Sequence, residues 1–223
     1  MSSRAEAPRC YVARVLPAVD PARSIRSRRA PRCAACWLPT ALCLCAELPR
    51  VAVRTRVVVV MHRREAGTST NTGRLAARVL EGASLRVRGL ADRDVDPRPL
   101  AEPLPGGRRL VLFPQAGARE LGADDAAGEP AVLLVPDGTW SQARRLLRRE
   151  EDLHGAEPVT LPPGALTRYR LRRHAREGGL CTLEAIARAL ALLEGPGVEE
   201  RLMEVLDRFV ARALQARQGA RSR

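Results

Sequence analysis

Lysine is absent from this chain, so all 38 basic residues are arginine. A GC-rich genome is one reading of arginine over lysine, but does not by itself explain a net charge of +13 against 25 acids. A surplus of that size usually marks a phosphate-bearing partner, because cationic side chains release counterions from nucleic acid. Aromatic residues are scarce at 3%, which makes each Trp and Tyr worth weighing separately. The longest apolar run near the amino terminus, 57–61, is too short to cross a bilayer, and the polar, Arg-rich start does not read as a secretory signal. The expected setting is therefore cytoplasmic, with no membrane contact. Three fingerprints are also missing: G-x-G-x-x-G, the Walker loop and the G-x-S-x-G elbow. Dinucleotide folds, NTP folds and the α/β-hydrolase nucleophile thus lack their usual signatures.

What is present suffices for folding. The 223 residues are 45% hydrophobic, enough for one large domain or one domain with a small appendage. Residues 1–30 carry seven arginines and few large apolar residues, and read as a basic arm that either rests on RNA or is a mere tail. Then Cys33, Cys36, Cys43 and Cys45 form a C-x2-C followed by C-x-C within thirteen residues. In a reducing compartment such a cluster suggests metal rather than disulfides. Four thiolates suit tetrahedral zinc and leave no open coordination position, so its role is structural; a redox pair or unliganded thiols are the alternatives. Cys10 and Cys181 lie far off and read as buried, unreactive thiols.

Residues 53–62 make the strongest strand in the chain, rich in Val and ending at His62. A polar loop with Glu65 and Thr70-Asn71-Thr72-Gly73-Arg74 follows, then a helix with Leu75, Val79 and Leu80 on one face. Thr70, Asn71 or Thr72 is the expected cap, and a hydroxyl- and Gly-rich helix start also suits a carboxylate or phosphate. Further strands are expected at 84–90, 108–114, 131–135 and 157–161. Strands alternating with helical stretches argue for an α/β fold, a mostly parallel sheet flanked by helices.

The organising stretch is 131–147, a short apolar strand, then Asp137-Gly138-Thr139-Trp140, then a helix of strong formers. An acid and an indole thus stand at the carboxyl end of a strand and the mouth of a helix, where open α/β sheets bind ligands. After it, Arg168-Tyr169-Arg170-Leu171-Arg172 reads either as a nucleic-acid contact or as a half-buried strand with charged edges. Thr182 is expected to cap a helix running to 193, and a second helix spans 198–217, with Leu202, Val205, Leu206, Phe209 and Ala213 packed inward.

Taken in order, these motifs resemble the DTW-domain family, the tRNA-uridine aminocarboxypropyltransferases. The likeness rests on the four cysteines, His62 with Glu65, Thr70-Asn-Thr-Gly-Arg-Leu75, Asp137-Gly-Thr-Trp140-Ser-Gln-Ala-Arg, Tyr169-Arg-Leu-Arg172 and Thr182-Leu-Glu-Ala185, over roughly residues 31–195. Cys181 departs from it, standing where a hydroxyl residue is expected. The resemblance implies transfer of the 3-amino-3-carboxypropyl group from S-adenosylmethionine to N3 of a tRNA uridine, releasing methylthioadenosine. It also implies a C-terminal trefoil knot, as in the related knotted methyltransferases. The boundaries that follow are a basic arm at 1–30, a zinc knuckle at 31–50, a catalytic domain at 51–217 and a tail at 218–223.

Asp137 is the candidate base, with Glu65 second; Asp137 is alternatively a holder of the cofactor's amino group or a helix cap. Thr70, Asn71, Thr72, Gly73 and Arg74 are candidates for the cofactor carboxylate, and Gly138, Thr139 and Trp140 for the rest of the cofactor. Trp140 either stacks on a base or packs in the core. Arg168, Arg170 and Arg172 are the candidates for RNA phosphate. Two other classes remain open: a knotted S-adenosylmethionine-dependent RNA methyltransferase, and a zinc-knuckle RNA-binding protein without activity.

Overall fold

The computed structural model describes residues 31–89, 108–127, 130–171 and 179–219. The arm at 1–30, Arg172 and residues 220–223 lie outside the described residues. The six strands are β1 (Arg56–His62), β2 (Ser84–Arg88), β3 (Arg109–Leu112), β4 (Arg119–Glu120), β5 (Val132–Asp137) and β6 (Glu157–Thr160). They form one sheet in the order β2-β1-β5-β3-β6-β4, and every pairing is parallel.

Central strands of such a sheet are apolar throughout because both faces are covered. Val57, Val59 and Met61 of β1 and Leu133 and Val135 of β5 pack under α1 (Gly73–Val79), α4 (Thr182–Glu194) and α5 (Pro196–Gly219). Val58, Val60, Val132 and Leu134 point to the other face, against Leu146 of α2 (Trp140–Arg149) and Leu153 of α3 (Glu151–His154). The knuckle joins the larger core through Cys33, Cys36, Leu38 and Leu44. Arg212 of α5 clamps it, donating to the carbonyls of Leu42 at 3.4 Å and Cys43 at 2.6 Å and to Glu47 Oε1 at 2.6 Å.

Local departures from expectation have physical causes. β1 begins at Arg56, because the Glu194 carboxylate takes the backbone N–H of Arg54 at 3.1 Å and of Thr55 at 2.7 Å. Those groups bond to the end of α4 and not to a neighbouring strand. α5 begins at Pro196, two residues earlier than expected, since proline's fixed φ and missing N–H suit a first helical turn. β4, two residues long, was not foreseen; Arg119 ties it to Asp125 at 2.7 Å and to Glu157 at 2.6 Å.

The site is set by the order of connections. From β1 the chain passes through α1 to β2; from β5 it passes through α2 and α3 to β6, in the opposite direction and on the opposite face. Neighbouring strands whose connections part in this way leave a crevice at their carboxyl ends. There Met61 lies in register with Asp137. The connection from β6 into α4, on which the expected knot depends, includes residues 172–178, outside the described residues. No helix among the described residues is long and apolar enough to cross a membrane.

Candidate functional site

Asp137 ends β5 at the switch point, with only 3% of its surface exposed. Asn71 Nδ2 donates to its Oδ2 at 2.6 Å, and the Thr182 hydroxyl donates to its Oδ1. The carboxylate is thus held from two sides, by the loop before α1 and by the first residue of α4. Gly73 presses against it: a Cβ there would lie 3.0 Å from Asp137 Oδ2 and 3.0 Å from Val59 Cγ1. Any side chain at 73 would push the carboxylate out of position.

The loop carrying Asn71 is itself fixed by long-range bonds. Asn71 Oδ1 accepts from the Arg74 N–H at 3.3 Å, and Thr72 Oγ1 accepts from the Leu183 N–H at 3.3 Å. The Tyr169 hydroxyl donates to the Thr70 carbonyl at 2.5 Å. Tyr169 is buried, so it anchors this loop and offers no face to nucleic acid. Thr72 is the N-cap residue of α1 but bonds outward to α4, and Asn71 meets the free N–H in its place.

Arg74 is 95% buried, given its 5% exposure. Its guanidinium donates to the carbonyls of Glu65, at 3.3 Å, and Ala66, and lies 5.0 Å from the Trp37 ring centroid. Burial lowers its pKa to about 10, against the opposing charges of Asp137 and Glu65, so it stays cationic at neutral pH. Its Nε is buried without a hydrogen-bond partner among the described residues. Glu65, half-buried, stands in the turn after β1 on the same side.

The other flank is built locally. Thr139 caps α2, its Oγ1 accepting from the Gln142 N–H at 3.4 Å while Gln142 Oε1 accepts from the Thr139 N–H at 2.7 Å. This reciprocal box excludes Asp137 as the cap of that helix. Gly138 is sandwiched: a Cβ there would meet Gln142 Oε1 at 2.8 Å and His62 Cβ at 3.4 Å. Trp140 is half-buried and packs at 59° on Phe113, centroids 5.4 Å apart, so core packing accounts for one side of the indole. His62, 4% exposed, accepts the Arg64 N–H on Nδ1 at 3.3 Å. Burial, then the charges of Arg145, Arg64 and Arg63, holds it below its ordinary pKa, as a neutral imidazole.

The cap of α4 is Cys181 and not Thr182. Glu184 reaches back to the Cys181 N–H at 2.8 Å, and also takes the Thr167 hydroxyl at 2.7 Å and the Arg168 N–H at 2.6 Å. Thr182 is thereby freed to serve Asp137, a role missed in the sequence. The signal was there: a capping box puts its Glu three residues after the cap, and Glu184 counts back to 181. Burial pushes the Cys181 thiol up to about 12, which keeps it protonated and inert. Arg168 and Arg170 are exposed at the other edge of this loop, Arg168 paired with Asp207 at 3.1 Å.

The four cysteine sulfurs converge. Cys33 and Cys45 are 3.7 Å apart, Cys36 and Cys43 3.8 Å, and all four lie within 4.8 Å of one another. Zinc–sulfur bonds of about 2.3 Å in a tetrahedron require sulfur separations of about 3.8 Å, so the cluster is compatible with structural zinc. The Cys45–Cys36 hydrogen bond lowers the Cys36 thiol and raises that of Cys45, so the two share one proton. Trp37, next in the chain, adopts φ +62 and closes the turn with its N–H on the Cys33 carbonyl at 2.9 Å. The knuckle therefore delivers the ring that covers Arg74, a link that no local spacing announces.

The DTW domain matches residues 30–214, and the match embraces all of this geometry. The chain belongs to the DTW domain family. A fruit fly (Drosophila melanogaster) protein of this kind, tRNA-uridine aminocarboxypropyltransferase 2, is 30% identical over 78% of this chain and 72% of its own length. The mouse (Mus musculus) protein of the same name is 29% identical over 85% of this chain and 65% of its own, so the chain spans about two thirds of that relative. A solved structure, the SAM-dependent rRNA:acp-transferase Tsr3 from Vulcanisaeta distributa, covers 74% of this chain and 80% of its own at 16% identity and a TM-score of 0.48. At that level it bears on neither fold nor chemistry.

Proposed function

We propose that this DTW-domain chain transfers the 3-amino-3-carboxypropyl group of S-adenosylmethionine to N3 of a tRNA uridine, releasing methylthioadenosine. The observation that carries it is Asp137, a carboxylate buried at the switch point and oriented by Asn71 and Thr182. The names of the fly and mouse relatives support the reading. A tRNA-modifying role supports a cytoplasmic setting.

The residues fit an amino-acid-bearing co-substrate. Such a group needs a cation or polar groups for its carboxylate. Arg74, within electrostatic reach of Asp137, and the stretch Thr70, Asn71, Thr72 and Gly73 that precedes it offer such groups beside the crevice. Gly138, Thr139 and Trp140 border the crevice from the α2 side. When bound, S-adenosylmethionine supplies a methylene activated by its sulfonium.

The chain's own task is the proton. A uridine N3–H is weakly acidic, so a base must remove it as N3 attacks. Asp137 takes that proton, for which a positioned carboxylate in a dry crevice is suited, with Glu65 the second carboxylate nearby. Arg168 and Arg170 face the RNA, and sequence alone assigns Arg172 the same role. Zinc, held by Cys33, Cys36, Cys43 and Cys45, is structural, since four protein ligands leave no open position.

The test is incubation with S-adenosylmethionine and unmodified tRNA, followed by nucleoside mass spectrometry. Aminocarboxypropyl-uridine and methylthioadenosine are expected. Methylated base with S-adenosylhomocysteine, or no product at all, overturns the reading. Asp137→Asn should cut single-turnover transfer by about 10²–10⁴-fold with cofactor affinity unchanged. A matching loss of cofactor affinity would reassign Asp137 to the amino group.

A further inference from the structure

Several arginines of this protein pair with carboxylates. Arg108 and Arg119 meet Asp125 and Glu157, Arg88 meets Glu150, Arg168 meets Asp207 and Arg212 meets Glu47. Helix α2 concentrates four arginines that do not. Ala143 and Leu146 are buried against the second core, and Arg144, Arg145, Arg148 and Arg149 stand exposed on the outer face. Among the described residues none of these four has an acidic partner.

A merely solvated face would carry acids at four-residue spacing, because like charges at that spacing repel. No Asp or Glu occurs between Asp137 and Glu150. The helix dipole favours cations in the last turn, which accounts for Arg148 and Arg149 but not for Arg144 and Arg145. The face also starts at the site: α2 is capped by Thr139, two residues after Asp137. Arg63 and Arg64, exposed on the turn after β1, join Arg145 in acting on His62, so three cations converge on this edge of the crevice.

We infer that the outer face of α2, extended by Arg63 and Arg64, is the track that grips the phosphate backbone of the substrate RNA. The inference rests on the transferase reading above. Protein partners bind through buried apolar or aromatic anchors, and this face exposes none. A phosphate row needs only cations in register, and the two arginine pairs repeat one helical turn apart, about 6 Å along the axis. Arg168 and Arg170 sit on the opposite side of the sheet, with α4 and α5, and Arg168 is partly occupied by Asp207. They are the lesser contact.

The test is the salt dependence of binding to an unmodified tRNA transcript, read by fluorescence anisotropy on the full chain. Each phosphate contact contributes about 0.7 to 0.9 to the slope of log K against log salt, so the quadruple variant R144Q/R145Q/R148Q/R149Q should flatten it by about 3. Glutamine keeps helix propensity, and circular dichroism confirms that α2 persists. The control pair R201Q/R208Q, exposed on α5, should leave the slope within error. An unchanged slope in the quadruple variant, or a control that flattens it in proportion to charge removed, overturns the assignment. Product formation is scored separately. If wild-type chain yields aminocarboxypropyl-uridine with an α2-independent slope, the surface assignment fails and the function stands. If it yields none while the slope still depends on α2, the function fails and the surface stands.

Discussion

Two helices leave the switch point, and their starts are built on opposite principles. At α1 the polar groups are buried and bonded across the molecule: Asn71 to Asp137, Thr72 to α4, Thr70 to Tyr169. At α2 the bonds are local, between Thr139 and Gln142, and the four arginines that follow point outward. The α1 start is therefore preorganised by parts of the chain that lie far off in sequence, whereas the α2 start organises itself. A site that must hold an acid still while presenting charge to a large partner gains from that division. One flank is rigid and dry, and the other is solvated and free to carry cations.

The largest test of the contrast removes zinc. Cys36→Ala breaks the four-sulfur set, and structural zinc contributes folding energy outright, so the melting temperature should fall further than for any other change named here. Because Trp37 covers Arg74, hydrogen exchange should rise in 63–74 and stay low in 139–149. Equal loosening on both flanks would dissolve the distinction.

Next comes Thr182→Val, which keeps the shape but removes the hydroxyl that donates to the buried Asp137 carboxylate. About 1–3 kcal/mol of stability should be lost, together with transfer activity. Activity that survives while stability drops would show that Thr182 only braces the fold. On the other flank Gln142→Ala opens the capping box and should cost about 1 kcal/mol in denaturant midpoints, with transfer unaffected. A loss of transfer comparable to that of Thr182→Val would mean that the α2 start is no more self-contained than α1.

The smallest effect is a pH dependence. His62 is held below its ordinary value of 6.5 by burial and by Arg145, Arg64 and Arg63. As pH falls below 6.5, the unfolded chain binds a proton that the folded chain resists, so stability is present at neutral pH and declines on acidification. His62→Gln should remove that decline, measured as urea midpoints at about pH 7.5 and 5.5. A decline of the same size in the variant would place its source elsewhere.

Much of this was legible in residue order. The parallel sheet follows from Val- and Leu-rich strands alternating with helical stretches. The zinc knuckle follows from four cysteines in thirteen residues, since ligand spacing is a local property. Asp137 at a strand end follows from the apolar run that stops there. Harder to see were interactions between segments, such as that of Tyr169, whose surroundings read either as a nucleic-acid contact or as a half-buried strand and which proved to be a buried anchor.

The sequence alone determined which groups exist and how each short segment is biased: continuous apolar strands, a capping box at 139–142, a metal-binding spacing at 33–45, a helix crowded with arginine. These are settled by neighbours within a few residues. Only the tertiary structure decided which of those groups meet. It placed Thr182 and Asn71 on Asp137, laid Trp37 over Arg74, and put α1 and α2 on opposite faces of the sheet. The reason is that crossover connections bring together residues 45 to 66 positions apart, and no local energy term encodes such a meeting.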